Sequence, residues 1–275
     1  THHIISLIEE FKLTPNFYCV GTSIEILGIK KPKLSLSKFI EEHDIILTSI
    51  SWSSEIENKA IKKAIKLEKI VFTVLDHLVN FHNRFLLNGE NTLPDSIILF
   101  NKSSFKKAKQ VFKDYDVNLY LTKSNYFLNR FLNNIKKTKL KENHMLLIDE
   151  PIKDHYEGVM KKKLEYRGFN EFTGLDFFIE NIKNSKYKNY NIDIKLHPSS
   201  KSNKFDFLKN EKIQILNPKA KLEDVISSYK IIVGFESMAL YLATNLEPEV
   251  KVFSIIPPHL KNNKNIFKLD SFYDI

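Results

Sequence analysis

The stretch KIIVGFESMALYLA, residues 230–243, decides how this chain is read. Ile231, Ile232 and Val233 form a continuous β-branched run, then comes Gly234, then an apolar segment of helical character opening at Ser237. A strand apolar at consecutive positions has both faces buried, and one that feeds straight into a helix is the βα unit of a parallel sheet. Gly234 permits a tight turn. Ser237 stands where an N-cap belongs, and the N–H groups of Ser237, Met238 and Ala239 then point out of the helix start, as they do in phosphate sites.

The same grammar extends outward. NIDIKLHPSS, residues 191–200, is a strand that runs directly into His197-Pro198. Proline fixes its own φ and biases the preceding residue away from helix, so His197 sits on a stiff backbone. An imidazole there can donate a hydrogen bond to a phosphate oxygen; taken alone, His-Pro reads first as a turn. Upstream, strands are expected at residues 16–23 (NFYCVGTS), 44–50 (DIILTSI), 69–75 (KIVFTVL), 95–100 (DSIILF) and 117–122 (VNLYLT). Helices are expected at 36–43, 54–68, 103–112 and 124–135, with Ser53 or Ser54 capping the second. KKTKLKEN, residues 136–143, is lysine-rich and aperiodic and reads as a linker.

After it the rhythm restarts with strands HMLLID, NIDIKL, KIQIL, KIIVG and VKVFSII and helices EFTGLDFFIENI, LEDVISSY and SMALYLAT. Continuous apolar strands alternating with amphipathic helices give α/β architecture, as two Rossmann-like domains facing across a cleft. The expected domains are 1–138 and 139–275, with the C-terminal NIFKLDSFYDI read as a crossover helix packing back on the first. Ligands of such sheets bind beyond the carboxyl ends of the strands, so strand-end residues are the site candidates.

The chain has 275 residues, 43% of them hydrophobic, a formal net charge of +9 and one cysteine, Cys19. The length suits one large domain or two of about 140 residues each, and a lone cysteine allows no internal disulfide, which fits a cytoplasmic protein. No apolar run reaches the ~20 residues that span a bilayer. A basic balance favours anionic partners: nucleic acid, a nucleotide-linked substrate or an acidic membrane surface. Only Arg84, Arg130 and Arg167 are arginines and no aromatic-basic motif is present, which argues against nucleic acid. CxxC, HExxH, the Walker A loop, GxGxxG and GxSxG are all absent, so no metal ligands or cofactor are assigned.

The order strand-His-Pro, then strand-Gly-x-x-Ser-helix, resembles the second domain of bacterial GT-B glycosyltransferases that use CMP-activated sugars, the sialyltransferase, polysialyltransferase and capsule Kdo-transferase group. The resemblance covers roughly residues 144–256 at motif level. It implies that His197, Pro198 and Ser237 contact the donor phosphate. FES stands where that group often has two serines, and its acidic-acidic-Gly motif is missing. Asp149, Glu150, Lys195, Gly234 and Met238 complete the implied donor site. The implied reaction is inverting, metal-independent transfer of a nonulosonic acid or Kdo from a CMP-linked donor to a surface glycan or glycolipid, with peripheral contact to an anionic inner membrane.

Such a transfer needs a base for the acceptor hydroxyl. Asp76, at a strand end, is the first candidate, with His77 and Glu171 behind it. Asp76, Asn80 and Arg84 share one face if residues 74–85 are helical, although such a stripe also reads as an Asp–Arg pair. Ser49, Ser51, Trp52, Asn80 and Arg84 are the acceptor-binding candidates. The alternatives are a CDP-glycerol-type glycerophosphotransferase, a nucleotide-sugar epimerase or, from another class, a basic RNA- or anionic-glycan-binding protein.

Overall fold

The computed structural model describes residues 2–50, 54–75, 81–122, 125–154, 157, 168–208, 210–260 and 269–274. The chain divides into two compact units, Thr1–Arg130 and Phe131–Ile275.

The first unit contains α1 (His2–Phe11), α2 (Thr22–Leu27), α3 (Leu36–Glu41), β1 (Ile45–Thr48), α4 (Ile56–Lys66), β2 (Ile70–Val74), the short hairpin β3 (Leu86–Leu87) and β4 (Glu90–Asn91), then β5 (Ser96–Leu99), α5 (Lys102–Val111) and β6 (Asn118–Leu121). Helix α6 (Tyr126–Asn133) carries the chain across the boundary. Strands β1, β2, β5 and β6 form one parallel sheet in that order. One core packs Ile61 and Ala64 of α4 and Ala108 of α5 against Val71, Ile97 and Leu99. A smaller cluster gathers Leu7 of α1, Val74 and Phe100. Successive residues of each strand point to opposite faces of the sheet, so apolar strands supply both clusters.

Two expectations fail in this unit. Residues 16–21 form no strand: Phe17 and Val20 are exposed, and no described strand lies beside the segment. An apolar run without a neighbouring strand has no ladder to complete. Helix α4 begins after Glu55, and Ser54 contributes only a hydroxyl that accepts from the Ile56 N–H at 3.2 Å.

The second unit contains β7 (His144–Ile148), α7 (Glu171–Ile182), β8 (Asn191–Lys195), β9 (Ile213–Ile215), α8 (Leu222–Val225), β10 (Ile231–Gly234), α9 (Met238–Ala243) and β11 (Lys251–Ser254). All five strands are parallel, in the order β11-β10-β7-β8-β9. The chain builds from β7 through β8 to β9, then crosses back to lay β10 on the other side of β7. The connection therefore reverses between β7 and β10, the place where open α/β sheets hold their ligands. The core joins Met145, Leu147, Ile192, Ile194 and Val233 of the sheet to Leu175, Phe178 and Ile182 of α7. Asn170 opens α7 with a capping box, accepting from the Phe172 and Thr173 N–H groups at 2.9 Å each.

The expected linker is not free chain. The Lys136 N–H donates to the Glu223 carbonyl at 2.9 Å, the Thr138 hydroxyl lies 2.7 Å from those of Ser227 and Ser228, and the Lys141 N–H donates to the Ser228 carbonyl at 2.9 Å. These bonds fasten residues 136–141 to the second unit, which begins at Phe131. Lys141 also reaches Asp193, which is fully buried on β8; its Oδ2 accepts from Lys141 Nζ at 2.7 Å and Tyr229 Oη at 2.6 Å, and lies 3.2 Å from His144 Nδ1. Burial pushes the Asp193 carboxyl up, but the bonds from Lys141 and Tyr229 outweigh it and hold the group below its usual range. Of the C-terminal stretch expected to pack on the first unit, the described residues 269–274 lie on the second. Ser271 bridges to Ser254, and Phe272 is buried in the second core.

Candidate functional site

The carboxyl edge of the second sheet brings together the ends of β7, β8 and β10. These supply Asp149 and Glu150, His197 and Pro198, and Glu236 and Ser237 respectively.

His197 is half-buried, and Pro198 and Ser199 are exposed. The turn closes through the Ser200 N–H, which donates to the His197 carbonyl at 2.9 Å. His197 Nδ1 accepts the Ser199 backbone N–H at 3.1 Å and lies 2.7 Å from Ser199 Oγ. Burial pushes the His197 pKa down; Asp149 opposes that shift, while Lys204 and Lys195 reinforce it. The ring is therefore held toward its neutral form.

Asp149 does not offer its carboxylate to a ligand as expected. It is 1% exposed, and Oδ2 accepts from the His197 N–H at 3.1 Å and Ser200 Oγ at 2.7 Å. Oδ1 accepts from Lys204 Nζ at 2.8 Å. The same ammonium lies 2.9 Å from Glu171 Oε1, while Glu171 Oε2 accepts the Lys153 N–H at 2.7 Å. Glu171 is thus corrected from candidate base to structural anion, since both its oxygens are occupied within a buried ion cluster. Lys195 is corrected as well. Its ammonium donates to the Leu196 carbonyl at 2.9 Å inside the protein, and burial lowers its pKa, with Asp149 and Glu223 opposing.

At the reversal point, Glu150 Oε2 accepts the Glu236 N–H at 2.8 Å, joining the ends of β7 and β10. Gly234 is required there for a reason other than a tight turn. A Cβ would sit 3.1 Å from the Ile148 carbonyl oxygen and 3.3 Å from a methyl of Leu240, so the glycine lets strand and helix approach closely. Ser237 caps α9 as expected, its hydroxyl accepting the Leu240 N–H at 3.2 Å, with Met238 partly exposed beside it.

In the first unit Ser49 is half-buried after β1. Arg84 is 3% exposed and donates to the Ile50 carbonyl at 3.3 Å, which makes it a tie between loops and not an acceptor-binding side chain. Asp76, His77, Asn80, Ser51 and Trp52 lie outside the described residues. Among the described residues no group of three or more His, Cys, Asp or Glu side chains forms a metal site. Asp114-Tyr115-Asp116 has DxD spacing and lies in the turn after α5, with Asp114 exposed and 3.8 Å from Lys113.

Lys204, Ser199 and Glu236 are the site residues that the sequence reading misses. Ser199 stood next to the His-Pro motif in plain sight. Lys204 is one lysine among many and carries no local signal.

No protein-family model matches the sequence, and no curated protein matches it. Solved structures do. One is a UDP-GlcNAc 2-epimerase from Neisseria meningitidis bound to UDP-GlcNAc, with TM-score 0.50 and 16% identity over 86% of this chain and 68% of that one. Another is named as a UDP-N-acetylglucosamine 2-epimerase from Listeria monocytogenes, with TM-score 0.52 and 12% identity over 92% and 74%. These neighbours overturn the CMP-sugar glycosyltransferase reading, since both are named for epimerisation of a UDP-linked sugar, the reaction held among its alternatives. At such identities the likeness establishes the fold: this chain has the two-unit, Rossmann-like, GT-B-like α/β architecture of these proteins.

Proposed function

We propose that this protein is an enzyme that binds a UDP-linked sugar at the carboxyl edge of its second sheet and epimerises it. The observation that carries this reading is the placement of His197 at the end of β8, the strand that pairs with β7, on the same carboxyl edge as the β7–β10 reversal point. Rossmann-like sheets hold nucleotides at such points. A neutral histidine there supplies a hydrogen-bond donor suited to a phosphate oxygen. The net charge of +9 favours an anionic substrate over a neutral one.

Epimerisation at C2 breaks a C–H bond with no adjacent carbonyl, so as a base takes the proton the electron pair must expel UDP from C1 to form a C1–C2 double bond; return of UDP to C1 and of a proton to the other face of C2 completes the inversion. Glu171 is excluded from that role by its ion pair with Lys204. Asp76 and His77, the other base candidates, lie outside the described residues.

The test combines binding and exchange. Thermal stability is measured with UDP, UDP-GlcNAc and CMP, on wild type and His197→Ala. A ligand at 100 times its Kd stabilises by about 2.7 kcal/mol. UDP-GlcNAc incubated with the enzyme in deuterium oxide should gain deuterium at C2. Absence of both UDP stabilisation and C2 exchange would refute the assignment.

A further inference from the structure

We propose that Lys204 is a positioning residue: through its buried ion pairs with Asp149 and Glu171 it sets the turn at residues 197–200, so that His197 is fixed as the Nε2–H tautomer and presents one hydrogen-bond donor to an anionic ligand. The identity of that ligand rests on the UDP-sugar reading; the tautomer does not.

The argument starts from a group that has only one role. A backbone N–H donates and never accepts, and the Ser199 N–H lies 3.1 Å from His197 Nδ1. Nδ1 must therefore carry its lone pair, because a proton there would face another proton. The neutral ring then holds its hydrogen on Nε2. Ser199 Oγ, 2.7 Å from the same nitrogen, can turn its hydroxyl hydrogen toward it and add a second donor. A protonated imidazolium would break the contact with the Ser199 N–H, which agrees with the downward pKa shift caused first by burial.

That geometry depends on where the turn lies, and the turn hangs on Asp149. One carboxylate oxygen binds both the His197 N–H and the Ser200 hydroxyl. The other is held by Lys204, whose side chain is 8% exposed and lies over the Phe205 ring at 5.0 Å. Lys204 is held in turn by Glu171 at the start of α7. The chain of contacts runs from a rigid helix start, through one ammonium, to the backbone of the histidine. Lys195, the other cation near the ring, is directed away to the Leu196 carbonyl.

The test reads the tautomer directly. Protein carrying ring-15N histidine is examined by long-range proton–nitrogen correlation without nucleotide, and His197→Gln identifies the His197 signals by their loss. Wild type should show a bare Nδ1 and a protonated Nε2. Lys204→Arg should keep that pattern, because a guanidinium can span both carboxylates. Lys204→Met should give mixed tautomers. Should Lys204→Met fail to fold, the same spectra are taken on the charge-neutral triple variant Lys204→Met, Asp149→Asn, Glu171→Gln, where mixed tautomers are again expected.

A second arm adds UDP. Glutamine places its amide nitrogen near the Nε2 position and asparagine near Nδ1. His197→Gln should therefore keep most of the affinity, and His197→Asn should lose about tenfold or more, the loss of a hydrogen bond to a charged group. An Nδ1–H tautomer in wild type would overturn the proposal. So would an unchanged tautomer in a folded variant lacking Lys204. A correct tautomer with no UDP-induced shift would uphold Lys204's role and count against the UDP reading alone.

Discussion

Replacing Gly174 with alanine sets two known effects against each other in the packing beneath the site. Gly174 lies inside α7, and a Cβ built on it falls 2.6 Å from Phe235 Cε1, 3.0 Å from Cζ and 3.2 Å from Phe169 Cδ2. Both rings are buried and tilted against each other with centroids 5.5 Å apart, so neither has open space to enter. Alanine in place of glycine within a helix contributes about 1 kcal/mol. Overpacking a well-filled core costs about 1–3 kcal/mol. A carbon pair at 2.6 Å is far inside contact distance, which puts the cost near the upper end, about 2–3 kcal/mol. The net expectation is a loss of about 1–2 kcal/mol. Urea unfolding of both proteins measures it, with an unchanged m-value as the check that only stability has moved. Phe235 directly precedes Glu236, so a displaced ring should also weaken any stabilisation by UDP. A Gly174→Ala protein more stable than wild type would refute the packing argument.

Three further outcomes are expected. Asn170→Ala removes an N-cap that accepts two backbone N–H groups and should cost about 1 kcal/mol in urea unfolding; no measurable change would show that α7 is held by packing alone. His197 has a folded pKa below its ordinary 6.5, so its contribution to stability is complete above that pH and is lost as pH falls through the folded value. In His197→Gln that acid-side loss should be absent, and parallel pH profiles for the two proteins would count against a neutral buried ring. Asp193 has a folded pKa below 3.8, so its contribution is present above that value and fades as pH falls through the folded pKa. Asp193→Asn should be less stable than wild type at neutral pH, with the gap narrowing in acid; a gap independent of pH would show that charge plays no part in the cluster.

Fold class was written in the strands. Residues 231–233 and 145–148 are apolar at consecutive positions and are buried on both faces of a parallel sheet, so local pattern and tertiary outcome coincide. The apolar residues at 16–20 show the limit of that reasoning, because strand formation needs a neighbour that composition does not reveal. The segment 136–143 marks another limit. Its lysines read as solvated linker, yet Lys141 ends on the buried carboxylate of Asp193.

What the sequence determined alone was the alternation of strand and helix, the stiff His197-Pro198 step at a strand end and the capped start of α9 at Ser237. These are local matters of φ restriction, side-chain periodicity and hydrogen bonding within a few residues. The tertiary structure decided which charges face a ligand. Asp149 and Glu171 are distant in sequence and became partners of one buried ammonium. Three charges removed together from water are tolerable only when they satisfy one another. That condition belongs to the assembled core of the second unit, and it turned two expected site carboxylates into the support beneath His197.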